Sequence, residues 1–141
     1  MKEDCIFCKI ANGIIPSATI YEDRYFRVIL DISPASPGHA LILPKDHFDN
    51  TYDMDSEVAG KVFVLATKVA KALKEELQCD GVNILQNNEE AAGQTVFHFH
   101  MHIIPRYVGD SVNIGWQQLE TDSDSLSVLA ATLNEKLQNV E

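Results

Sequence analysis

Apolar residues recur along this chain with two different periods. From about Asp55 to Leu77, the residues Val58, Val62, Leu65, Val69, Leu73 and Leu77 stand three or four positions apart, which puts them on one face of a long helix. A second stripe, Leu126, Leu129, Ala130, Leu133 and Leu137, predicts a helix over about Ser125 to Leu137 with those side chains buried. A short helix is expected between Asp4 and Gly13, with Asp4 as its N-cap, Gly13 as its stop and Pro16 beyond it.

The other apolar runs are short and rich in β-formers. Ala18 to Glu22 and Phe26 to Leu30 flank Glu22-Asp23-Arg24 and read as a hairpin. His39 to Leu43 reads as a strand ended by Pro44, and Val82 to Gln86 as another that follows Gly81. Val96 to Ile104 reads as the last strand, ended by Pro105. Ser33-Pro34-Ala35-Ser36-Pro37-Gly38 and the stretch from Asn87 to Thr95, with Gly93, are loops. This order predicts one α+β domain over residues 1–141, with a mostly antiparallel sheet of about five strands and helices packed on it.

Composition and charge narrow the class. An apolar fraction of 45% and a charged fraction of 23% are those of an ordinary soluble domain. The start, Met1-Lys2-Glu3-Asp4-Cys5, has no apolar stretch like a secretory signal, and no run is apolar enough to span a bilayer. A cytoplasmic protein with no membrane partner is expected. The net charge of -10 argues against a nucleic-acid coat. It leaves room for one small nucleotide, which backbone N–H groups and a few histidines can hold. Three cysteines make a poor disulfide framework, and Cys5-x-x-Cys8 by itself is ambiguous between metal, redox and neither. No thioredoxin-like βαβ unit surrounds it.

The sharpest chemistry lies in His98-Phe99-His100-Met101-His102-Ile103-Ile104-Pro105. In a strand, His98, His100 and His102 share one face, while Phe97, Phe99, Met101 and Ile103 share the core face. Three of the chain's five histidines crowd into five residues, and a row of imidazoles serves no packing purpose. Same-face neighbours would stand roughly 6–7 Å apart, so one phosphate cannot touch all three equally and the middle residue is nearest any central chemistry. A neutral imidazole is a good nucleophile once a partner, such as a backbone carbonyl, fixes its tautomer. Two rival readings share these residues. His98 and His100 with His39 or His47 could hold a catalytic zinc and its water. Alternatively, the same pocket could bind a nucleotide without turning it over.

The segment Gln94-Thr95-Val96-Phe97-His98-Phe99-His100-Met101-His102-Ile103-Ile104 resembles the signature of the histidine triad (HIT) family. Asp31 to Lys45 is similar to that family's other characteristic block, and Cys5-Ile6-Phe7-Cys8-Lys9-Ile10 resembles the amino-terminal block of its bacterial Hint-like, zinc-containing branch. The similarity covers nearly the whole chain and is weakest after about Val108.

The resemblance implies a HIT-like fold. It also implies a hydrolase or transferase acting at the α-phosphate of a purine nucleoside phosphoramidate or related nucleotide, through a covalent nucleotidyl-histidine. It makes His100 the nucleophile, His102 the partner of phosphate and leaving group, and His39 their support from a neighbouring strand. It places Asp31 at the ribose, Asn87, Gln94 and Thr95 around the phosphate and site lining, and Phe7, Ile10 and Ile32 at the base. Zinc-containing members use a Cys, Cys, His, His set, here Cys5, Cys8, His47 and His98, which implies one structural zinc per chain and no catalytic metal. Hint-like members pair through a helix and a sheet edge, so a homodimer is expected. Gly109 to Glu120, with Trp116, departs most from the family pattern and leaves substrate preference open.

Overall fold

In a computed structural model, which describes residues 1–140, the long apolar stripe forms α2 (Ser56–Leu77). Asp55 caps its start by accepting hydrogen bonds from the N–H groups of Glu57 and Val58. Val58, Val62, Leu65, Val69 and Leu73 are buried as the spacing requires, and Leu77 packs against the same core.

Five strands make one sheet in the order β1-β2-β3-β5-β4, and every neighbouring pair is antiparallel. They are β1 (Thr19–Glu22), β2 (Phe26–Leu30), β3 (Ala40–Pro44), β4 (Gly81–Leu85) and β5 (Met101–Arg106). The α2 helix covers one face, where Phe26, Val28, Ala40, Ile42, Met101 and Ile103 form the main core. The short α1 (Ile6–Ala11) lies on the other face, where Phe7, Ile10 and Ala11 meet Ile29, Leu41 and Leu43. Register fixes the consequence for chemistry. Ile42 pairs with Met101 and Leu41 with His102, so Met101 faces α2 while His102 faces the side that carries α1.

Four sequence expectations change. The cap of α1 is Cys5, not Asp4, because its sulfur accepts the Cys8 N–H. The last strand begins at Met101, not Val96, and it runs through Pro105 instead of stopping there. The Phe99 N–H donates to the Phe48 carbonyl at 2.7 Å, so this stretch is held by a loop and not by a sheet ladder. Strict alternation therefore fails upstream of Met101, and Phe97, expected in the core, is 47% exposed. Finally, α3 (Ser123–Gln138) forms with Asp122 as its cap, but none of its residues is buried. Its expected core stripe, Leu126, Leu129, Ala130, Leu133 and Leu137, faces outward. Among the described residues, no helix is long and apolar enough to cross a membrane.

Candidate active site and metal centre

Each triad imidazole has one ring nitrogen engaged by a partner that dictates where its proton sits. His100 Nδ1 lies 2.7 Å from the His98 carbonyl, which can only accept, so the proton is on Nδ1 and the Nε2 lone pair is free. His98 Nε2 lies 2.9 Å from the Pro44 carbonyl, so its proton is on Nε2 and its Nδ1 lone pair points elsewhere. His39 Nδ1 accepts the Ala35 N–H at 2.9 Å, which leaves its proton on Nε2, 2.9 Å from His102 Nδ1. His102 therefore accepts on Nδ1 and carries its own proton on Nε2.

Burial keeps these rings neutral. Desolvation is the largest cause for all four. It lowers the His100 pKa against the opposing pull of the His98 carbonyl and Asp31, and lowers that of His39 against Asp31. His102 is lowered to about 4 by desolvation and then by His100 and His39, and His98 to about 4 by desolvation despite the Pro44 carbonyl. The Phe7 ring stands edge-on to His100 with centroids 4.9 Å apart, and His102 sits 5.0 Å away on the other side, closer than ideal strand spacing.

A pH dependence of stability follows. An unfolded histidine titrates near 6.5, so between 6.5 and about 4 the unfolded chain binds a proton at position 102 that the folded chain does not. Stability from this group is present above that window and is lost as pH falls through it. For metal-free protein, denaturant midpoints should show His102 contributing a loss on the order of 1 kcal/mol between pH 7 and pH 5 after solvent screening. In His102→Asn that part of the slope should disappear.

The other expected nucleotide ligands divide. The Asp31 Oδ1 atom accepts the Ser33 N–H at 2.8 Å, and its Oδ2 lies 3.7 Å from His39 Nε2, so the residue both closes the turn and faces the site. Phe7 and Ile10 are half-buried beside it, whereas Ile32 is 94% exposed at the lip. The amide of Asn87 lies beside Gly93, whose φ of +98° only glycine adopts readily. Thr95 is exposed. Gln94 directs its side chain to the protein. Its Nε2 donates to the Asp49 and Val96 carbonyls, and its Oε1 accepts from the Glu89 N–H and the Asn50 amide. These bonds tie its loop to the segment that follows β3. The sequence gives no sign that Asn50 and Asp49 form the other half of this knot.

A second cluster closes around the amino-terminal block. The sulfurs of Cys5 and Cys8 and the Nδ1 atoms of His47 and His98 lie within 4.8 Å of one another. Three sulfur–nitrogen separations are 3.3–3.4 Å. Tetrahedral zinc, with bonds of about 2.3 Å to sulfur and 2.0 Å to nitrogen, sets such atoms about 3.5 Å apart. The outward nitrogens are held too: His98 Nε2 donates to Pro44 and His47 Nε2 to Asp49 Oδ1 at 2.8 Å, so both Nδ1 lone pairs point inward. Burial raises the Cys8 thiol pKa, so a cation is needed to hold that sulfur as thiolate. The donor set fits structural zinc and leaves no open ligand position.

The sequence pattern described as the HIT domain matches residues 12–109. The chain belongs to the HIT family. It is 49% identical over 116 residues to the Protein hit of Bacillus subtilis, covering 82% of this chain and 80% of that one. It is 42% identical over 135 residues to the adenosine 5'-monophosphoramidase of Saccharomyces cerevisiae, covering 95% and 83%. Among solved structures, a Streptococcus mutans protein superposes with a TM-score of 0.93 at 43% identity, over 97% of this chain and 87% of that one. A zinc-bound histidine triad family protein of Mycobacterium smegmatis superposes with a TM-score of 0.73 at 36% identity, over 97% and 98%. This HIT protein therefore has relatives named as phosphoramidases, and its fold is that of the solved HIT-family structures it superposes on.

Proposed function

We propose that this HIT protein hydrolyses a purine nucleoside phosphoramidate, or a related nucleotide, through a covalent nucleotidyl-His100. The observation that carries the reading is the His98 carbonyl on His100 Nδ1, which leaves a neutral Nε2 lone pair beside a second imidazole that bears a proton on Nε2.

In the first step the Nε2 lone pair attacks the α-phosphorus, and the phosphorus–nitrogen bond breaks with its electron pair going to the amine. The amine takes its proton from a water held against it, and the neutral His102 keeps its Nε2 proton as a hydrogen-bond donor to the leaving group and the phosphoryl oxygens. In the second step the hydroxide left by that water attacks phosphorus, and the His100 nitrogen recovers its pair. In this reading Asp31 accepts hydrogen bonds from the ribose hydroxyls, Phe7, Ile10 and Ile32 line the base, and Asn87, Gln94 and Thr95 line the phosphate. Mixing the protein with an adenosine phosphoramidate and quenching in base should give a mass shift of one nucleotidyl group. A protein that binds this compound without adduct or turnover would be the non-catalytic module instead.

A zinc hydrolase is disfavoured by the geometry. His98 is fully buried and turned to the sulfurs, so it cannot share a metal with His100. Cys5, Cys8, His47 and His98 would hold a structural zinc, which would pin α1 to the sheet beside the ring contact of Phe7 with His100.

The protein acts as a homodimer in this reading. A helix of sixteen residues is marginal alone in water, yet α3 exposes a leucine stripe and buries nothing against its own body. The unpaired edge of β4, with Ile84 exposed, and the exposed Phe63 on α2 offer a second copy the edge and helix it needs. Sedimentation should give a mass of two chains, and deletion of residues 121–141 should shift it toward one.

A further inference from the structure

Two surfaces of this chain stand uncovered, and they fit one another. We propose that α3 of each copy lies in the groove between β1 and α2 of a second copy. This rests on the homodimer reading above and says where the exchanged helix docks.

The groove is on the α2 face of the sheet, opposite the side that His102 faces. It runs beside α2 from Ser56 to Leu73 as two adjoining hollows of about 750 and 210 Å³, which share Tyr21, Leu65 and Lys68. Its outer wall is the edge strand β1, whose four residues are all exposed. Gly60, Val64, Lys68 and Ala72, four residues apart, line it from α2. Ala59 and Phe63 instead line a separate hollow with Gln86 and Phe99. Contact through the β4 edge and Phe63 therefore leaves the groove open.

Gly60 says what kind of occupant the groove takes. It lies inside α2, where glycine weakens a helix relative to alanine. Its φ is not positive, and a Cβ there would meet nothing within 4 Å, so its own chain does not require glycine. A second helix crossing at this point does, because bare backbone lets two helix axes approach closely.

The helix α3 has the matching form. Its sixteen residues span about 24 Å, and the stretch of α2 from Ser56 to Leu73 spans about 26 Å. Leu129, Leu133 and Leu137 make a row with the same four-residue step as Gly60, Val64 and Lys68, and rows of that pitch interdigitate. The charges agree as well. Among the described residues Arg24 and Lys68 make no ion pair, and Lys61 has only a 3.9 Å contact with Glu57. The groove's other carboxylate, Asp23, is turned to the N–H groups of Tyr25 and Phe26. To this basic rim α3 and its approach bring Glu120, Asp122, Asp124 and Glu135 against the single Lys136. Reach is sufficient. The Arg106–Asp110 pair holds the chain down as far as Asp110, and residues 111–122, with neither helix nor strand, extend up to roughly 40 Å.

The test blocks the groove with Gly60→Leu and reads α3 by amide hydrogen exchange. In the wild-type dimer the amides of residues 126–137 should exchange roughly 100-fold slower than unstructured ones, since so short a helix is marginal without a partner surface. In Gly60→Leu they should exchange within about threefold of the unstructured rate. Val64→Asp, on the same floor, should do the same, and it keeps the comparison readable should Gly60→Leu disturb α2. A mixed pair then separates the two copies. One chain carries Gly60→Leu and keeps α3, while the other keeps an open groove and lacks residues 121–141, which bury nothing against their own body. Slow exchange should return in this pair, because only the other copy offers α3 a groove. Fast exchange in the mixed pair, slow exchange in both groove variants, or fast exchange in the wild-type dimer each overturns the proposal. A sedimentation mass of one chain for the wild type would instead sink the homodimer on which it rests.

Discussion

His100→Ala is expected to lose at least about ten-thousand-fold in kcat on a nucleoside phosphoramidate while keeping its fold, as enzymes do when a nucleophile is removed and the rest of the site remains. No other nitrogen can replace it. His98 Nδ1 is turned to the sulfurs, and His102 Nδ1 is occupied by His39, with its Nε2 bearing a proton. Nucleotide affinity should change little, because Asp31, Phe7 and the loop around Asn87 are untouched. Steady-state kinetics, together with the mass of the quenched protein, would show both effects. Turnover at the wild-type rate in His100→Ala would end the mechanism. The burial that lowers the His100 pKa adds a further expectation: the attacking ring takes up its proton at a lower pH than a free imidazole, so the acid limb of the rate profile is displaced downward from that of a free histidine.

Metal removal should have the second-largest effect, and on stability before chemistry. Four donors drawn from α1, from the segment after β3 and from the triad converge within 4.8 Å. Zinc there would join Cys5 and Cys8 to His98, some ninety residues along the chain. The protein should carry one zinc per chain. Cys8→Ser, or exhaustive chelation, should lower the melting temperature by roughly 10 °C, as loss of a structural zinc site does. At low temperature, where the fold survives, kcat should stay within a few-fold of the loaded protein. Scanning calorimetry with metal analysis tests the first part and low-temperature kinetics the second. Abolition of turnover with no change in melting would mean that the metal is catalytic.

Much of the fold was legible because the patterns are local. Met101 and Ile103 join the core under α2 while His102 between them faces away, as strand alternation requires, and the α2 stripe has its cap in Asp55. The failures share one cause. Val96 to His100 has the alternation of a strand, but Phe99 bonds to Phe48 and His98 is drawn to the sulfurs, and such partners are invisible to periodicity. The stripe of α3 has helical spacing, but spacing says only that a face must be covered, not that its own chain covers it. Gln94 was assigned by resemblance, and only the coordinates show its bonds to Asp49, Asn50, Glu89 and Val96.

The sequence by itself determined which residues carry chemistry here: a row of imidazoles, two cysteines one helical turn apart, and a proline-rich loop ending in His39. Tertiary structure alone decided which nitrogen of each ring holds the proton, because that depends on carbonyls and amides brought from Pro44, His98 and Ala35. Residue type fixes what an imidazole can do. Long-range placement of donors and acceptors that every residue shares fixes whether it attacks, donates or binds a metal.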